Sequence, residues 1–190
     1  MKLDAKKLRA SEHDPEAFKK IKRNPVYIIV DNVLDTYNIG SIFRLADAVA
    51  VEKVYLCAGT EIPPNHRIKK ASINTTEWVP WEYKPTAVDA IKELRKKFST
   101  SLEQYSSSDR EVMGIQIVSI EQNDKSIPYD EIPYQFPVAL VIGHETDGVS
   151  KEAMDASDYI AEMPMWGINI SLNVMVSLGI VLYQVMQHRR

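Results

Sequence analysis

Apolar positions crowd together most densely near the C-terminus. From Leu172 to Met186 they follow one another almost without a break, as Leu172, Val174, Met175, Val176, Leu178, Ile180, Val181, Leu182, Val185 and Met186. A helix apolar on nearly every side is buried on most faces rather than along one stripe. The stretch Tyr159–Gln187 therefore reads as a short strand, a turn at Pro164–Gly167 and a helix entered near Ser171. Ser171 is the natural N-cap, its hydroxyl serving peptide N–H groups that lack intrahelical partners. Asn173 has no such duty. A polar amide at the mouth of a buried helix, just after a Met-Pro-Met turn, marks a site.

Upstream the pattern alternates between strand-length and helix-length runs. Residues 1–24 carry a thin apolar face (Leu3, Leu8, Ala17, Phe18, Ile21) among many lysines and arginines, which predicts one or two helices with a wet or RNA-contacting surface. Val26–Val30 is a continuous apolar run, as a buried parallel strand requires. Ile39, Ile42, Phe43, Ala46 and Val49 then recur at helical spacing through Ala50, and Val51–Cys57 is a second strand. Strand, helix and strand make a βαβ unit. Gly59–Pro85 reads as irregular, Ala87–Phe98 as an amphipathic helix with Lys92, Arg95, Lys96 and Lys97 outside, and Ser99–Glu111 as a loop or frayed helix end. Strands follow at Val112–Ile120 and Pro137–Ile142, separated by a proline-containing connector at Ser126–Pro137, with a short helix at Lys151–Ala156. The alternation predicts an α/β domain, a mostly parallel sheet flanked by helices, with ligands at the strands' C-terminal ends.

Composition narrows the class. The chain has 190 residues, 45% hydrophobic and 26% charged, enough for one domain with a substantial core. A net charge of −3 argues against an indiscriminate nucleic-acid coat but leaves room for local basic patches. The single cysteine, Cys57, cannot form an internal disulfide, and its apolar strand predicts a buried, inert thiol. The four histidines are scattered and no Cys/His cluster has zinc spacing, so no metal is expected. The N-terminal MKLDAKKLRASEHD is too polar for a signal peptide, and the apolar run at 174–182, broken by Ser177 and Gly179, is too short for a membrane span. The expectation is a soluble, cytoplasmic protein.

Three loops leave strand ends with polar residues that folding does not demand: Asn32–Arg44, Gly143–Gly148 and Met163–Asn173. A parallel sheet can bring all three to one edge. Gly143 and Gly148 have P-loop spacing, but Val149 stands where the phosphate-neutralising lysine belongs. No G-x-G-x-x-G or G-x-S-x-G occurs, and Glu145 alone is not a glycosidase pair. In the irregular segment Arg67, Lys69 and Lys70, interleaved with hydroxyls and aromatics, can hold phosphates and stacked bases, or lie on the domain as an ordinary loop.

Asn38-Ile-Gly-Ser-Ile-Phe-Arg44 is similar to the first motif of the SpoU (TrmH-like) RNA 2′-O-methyltransferases. Gly143-His-Glu145-Thr-Asp-Gly148-Val-Ser resembles their second motif, and Met163-Pro-Met-x-Gly167-x-x-x-Ser171-Leu-Asn173-Val their third. Order and gaps agree over about residues 24–187. The departures are His144, where asparagine or serine is frequent, and Trp166 and Ile168 inside the third motif. The resemblance implies a SPOUT methyltransferase domain at 25–190 behind an N-terminal helical flank at 1–24, with the C-terminal segment threaded into a trefoil knot. It implies a homodimer, S-adenosylmethionine as cofactor, no metal, and an RNA partner whose ribose 2′-hydroxyl is methylated. tRNA is the first expected substrate, with rRNA or a non-catalytic RNA-binding protein on the same fold as alternatives.

By the same resemblance Ile142, Gly143, Glu145, Gly148, Ile160, Met163, Met165, Ser171 and Leu172 would hold the cofactor. Asn38, Arg44, Glu145, Ser171 and Asn173 would form the catalytic group, the polar side chains clustering about Arg44 and the ribose. Asn38, Arg44, Arg67, Lys69 and Lys70 would contact RNA. Arg44 is the family's candidate for activating the hydroxyl, yet a guanidinium with a pKa near 13.8 is a poor proton acceptor. Holding the neighbouring phosphate and stabilising developing alkoxide charge suits it better.

Overall fold

The structure, a computed structural model, describes residues 15–100 and 114–189. Seven strands form one sheet in the order β3-β2-β1-β6-β4-β7-β5, every neighbouring pair parallel. They are β1 (Asn24–Asp31), β2 (Val51–Cys57), β3 (Trp81–Lys84), β4 (Gln116–Ile120), β5 (Ile127–Pro128), β6 (Val138–Ile142) and β7 (Tyr159–Glu162). The helices are α1 (Pro15–Lys19), α2 (Thr36–Ala48), α3 (His66–Ser72), α4 (Ala87–Thr100), α5 (Lys151–Asp155) and α6 (Val174–Gln187).

The central strands are apolar at consecutive positions because both faces of the sheet are covered. Val26, Ile28 and Val30 of β1 face a core built with Ile39, Ile42 and Phe43 of α2 and Leu178, Val181, Leu182 and Val185 of α6. Tyr27 and Ile29 face the other way, onto Ala87, Ala90, Ile91 and Leu94 of α4. Cys57 is buried there, and burial pushes its thiol up to about 12, which removes it as a nucleophile at neutral pH.

Gly59–Pro85 is not irregular. It contains α3, a 3-10 turn at Thr75–Glu77 and the edge strand β3. Asn65 caps α3, its Oδ1 accepting from the N–H groups of Arg67 and Ile68, and Ile68 alone supplies a large buried apolar anchor. One such anchor is too few to produce a readable period. In place of a residue wall, α3 packs backbone-close on α2: a Cβ at Gly40 would lie 2.5 Å from the Cβ of Ala71.

The C-terminal helix also differs from expectation in two ways. It starts at Val174, and its cap is Asn173, whose Oδ1 accepts from the N–H of Met175 at 2.9 Å. Within the chain, α6 is buried on one side only. Val176, Ile180 and Tyr183, spaced i, i+4, i+7, are exposed along the opposite side. An apolar residue count cannot tell a face covered by the chain's own sheet from one left bare. The N-terminal flank is described only from α1, where Phe18 stacks on Trp78 at 5.5 Å. Most of the Ser99–Glu111 segment and the start of the expected strand at Val112 lie outside the described residues.

Candidate functional site

Chain order reverses at β1, which lies between β2 and β6, and the crevice outside such a point is where open α/β sheets bind ligands. The loops after β1, β6 and β7 do meet there. Asn38, in the first turn of α2, is 6% exposed and joins all three. Its Nδ2 donates to Oε1 of Glu145 at 3.1 Å, and its Oδ1 accepts from Nδ2 of Asn173 at 3.1 Å. Glu145 also accepts from the N–H groups of Leu34 at 3.2 Å and Asp35 at 3.0 Å. Burial pushes the Glu145 carboxyl up, but these donors from Asn38, Asp35 and Leu34 outweigh it and hold the group below the usual carboxylate range.

A cavity of about 520 Å³ opens beside this relay. Ile120, Ile142, Ala161, Met163, Leu172 and Val174 give it apolar wall, while Glu121, Glu145, Asp147, Ser171 and Asn173 give it polar atoms. The Gly143–Gly148 loop closes on itself through His144 N–H to Gly148 O and Gly148 N–H to His144 O, both 3.0 Å. Gly148 has φ +70, and a Cβ there would lie 2.0 Å from Oε2 of Glu121. A side chain at that position would strain the backbone and collide at once. Gly143 needs no positive φ; a Cβ there would meet the carbonyl carbon of Gly148 at 2.1 Å. Inside the turn, Nδ1 of His144 accepts from the N–H groups of Thr146 and Asp147, both at 3.1 Å.

Of the residues expected to hold a cofactor, Ile142, Gly143, Glu145, Gly148, Met163, Ser171 and Leu172 line this cavity; Ile160 and Met165 do not. Side chains alternate along a strand, so Ala161 takes the cavity side of β7 while Ile160 lines a separate pocket with Lys151 and Met154. Ser171 is exposed and forms no hydrogen bond among the described residues.

Arg44 stands apart. It is exposed on α2 and absent from the cavity wall, and its side chain forms no hydrogen bond or ion pair among the described residues, so the polar cluster gathers around Asn38 instead. Six residues along a helix turn it about 120° away from Asn38. Arg67, Lys69 and Lys70 are exposed on α3, and Lys69 pairs with Glu77 at 2.9 Å. Glu121 and Gln122 went unread in the sequence, although both line the cavity. Their one signal was polarity directly after the buried strand β4. Among the described residues no metal-ligating group of three or more side chains occurs, and no helix is long and apolar enough to cross a membrane.

The chain and its fold resemble known proteins. The chain is 29% identical over 170 residues to a tRNA (guanosine(18)-2′-O)-methyltransferase of Aquifex aeolicus, covering 88% of this chain and 72% of that one. It is 27% identical to the enzyme of the same description from Escherichia coli strain K12, covering 89% of this chain but only 66% of that relative. The crystal structure of the A. aeolicus TrmH/SpoU tRNA modifying enzyme superposes with a TM-score of 0.73 at 28% identity, over 97% of this chain and 82% of that one. An AdoMet-bound rRNA methyltransferase from Sinorhizobium meliloti gives 0.73 at 25% identity, over 91% of this chain and 60% of that one. The SpoU rRNA methylase family model matches residues 25–183, and with that match over most of its length the chain belongs to the SpoU rRNA methylase family.

Proposed function

We propose that this chain is an S-adenosylmethionine-dependent RNA methyltransferase acting on a ribose 2′-hydroxyl, with tRNA as its substrate class. The observation that carries the reading is the Asn38 relay, which ties the three family motifs into one wall of a cavity of cofactor size. The donor set fits the cofactor: apolar side chains for a nucleobase, backbone groups of the Gly143–Gly148 turn for its edge, and carboxylates with no lysine or arginine among the lining residues. Bound there, S-adenosylmethionine supplies a methyl group already activated by its sulfonium. The tRNA assignment leans on the activity named for the A. aeolicus and E. coli relatives.

In this reading Asn38, Glu145 and Asn173 hold the cavity mouth, and Ser171 and Leu172 border it. Arg44 grips the phosphate beside the target ribose and offsets charge developing on the attacking oxygen, whose proton passes to water. Arg67 and Lys70 add phosphate contacts outside. Arg44 faces away from its own cavity, which supports a homodimer in which Arg44 of one protomer serves the cavity of the other. The bare Val176, Ile180 and Tyr183 face of α6 supports the same assembly. The C-terminal segment is threaded as the family's trefoil knot in this reading, in a cytoplasmic protein.

The test is methyl transfer from labelled S-adenosylmethionine to bulk unmodified RNA, then separated into tRNA and rRNA. Label in tRNA, confined to ribose 2′-oxygens, is expected. Label in rRNA alone would move the substrate, and cofactor-independent RNA binding without label would favour a non-catalytic RNA-binding protein.

A further inference from the structure

The cavity wall holds three carboxylates and no lysine or arginine. Their surroundings differ. Glu145 receives Leu34, Asp35 and Asn38, and Asp147 is largely solvent-exposed beside His144 at 3.4 Å. Glu121 is different. It follows β4 directly and lines the cavity, half-buried, with Oε2 accepting from the N–H of Val149 and Oε1 from the N–H of Gln122, both at 2.9 Å. It pairs with no cation among the described residues. Its charge is held by two backbone N–H donors and by no cation, so a ligand that brings positive charge would add to what those donors supply.

Its placement is also fixed from two sides. The Cα of Gly148 packs against Oε2, and the Nε2 of the adjacent Gln122 donates to the carbonyl of Met163 at 3.2 Å. The charge is therefore held still between the second and third motif loops. Resting on the cofactor reading above, we propose that Glu121 is a specificity-determining residue, through which the cavity prefers a cofactor bearing a cationic sulfur to the neutral thioether left after methyl transfer. A favoured cationic form and a less favoured neutral one would help the spent cofactor leave.

The experiment is calorimetric binding to the full chain, wild type and Glu121→Gln, of three ligands. These are S-adenosylmethionine, S-adenosylhomocysteine, and sinefungin, which carries an ammonium where the sulfonium stands. In Glu121→Gln the two cationic ligands are expected to weaken about ten-fold and the neutral-sulfur one about two-fold. Equal weakening of all three would reduce Glu121 to a loop clamp and overturn the proposal, as would no weakening at all. Should the variant unfold, salt on the wild type decides: added salt must weaken the cationic ligands more than the neutral one, and a parallel response overturns the proposal. Wild type binding none of the three would overturn the cofactor reading along with it.

Discussion

Asn173 donates through Nδ2 to Oδ1 of Asn38, across 135 residues of sequence, while its own Oδ1 caps α6. One side chain thus ends a loop, starts a helix and keys that helix to the first βαβ unit.

Asn38→Ala should remove two hydrogen bonds made by a buried amide, while the exposed Glu145 and Asn173 can turn to water instead. The expected loss is about 0.5–1.5 kcal/mol of unfolding free energy, with methyl transfer falling as well. Urea denaturation followed by tryptophan fluorescence measures the first. An unchanged midpoint would mean that the relay carries no stability.

Arg44→Ala should lower methyl transfer at least about 100-fold, the scale on which charge-stabilising groups act. Cofactor affinity should stay within about two-fold, because in the proposed reading Arg44 meets the RNA phosphate and not the cofactor. Substantial transfer by the variant would remove Arg44 from the reaction.

The Glu145 carboxyl lies below its usual 4.5 in the folded protein, so folding favours its ionised form. That contribution is fully present above the unfolded value and is lost as pH falls through the lower folded value. The stability gap between wild type and Glu145→Gln should therefore be constant from neutral pH down to about 5 and shrink below about 4.5. A gap that widens in acid would contradict the hydrogen-bond assignment.

Ile180→Asp places a charge in the middle of the bare face of α6. Light scattering should find the wild type as dimers and the variant as monomers, with transfer lost because one protomer's Arg44 no longer reaches the other's cavity. A wild-type monomer would refute the shared site.

The sheet was legible because buried parallel strands are apolar at consecutive positions: the runs in β1, β2 and β6 need no partner to be seen. The meeting of the three loops followed from the same topology. Some features escaped. Ser171 and Asn173 are both good caps by chemistry, and the choice fell to Asn173 because Asn38, far off in sequence, holds its amide. Glu121 went unread; its partners are the N–H of Val149 and the Cα of Gly148, which no local pattern announces. Helix α3 was missed for want of a second apolar anchor.

The contact between Gly40 and Ala71 has a metric consequence. With no side chain between them, α2 and α3 cannot slide or tilt independently, so the exposed Arg67 and Lys70 travel with Asn38 as one block. Under the proposed RNA contacts, a backbone phosphate gripped on α3 would sit a set distance from the cavity mouth. That spacing would act as a ruler for which nucleotide along a folded RNA reaches the mouth.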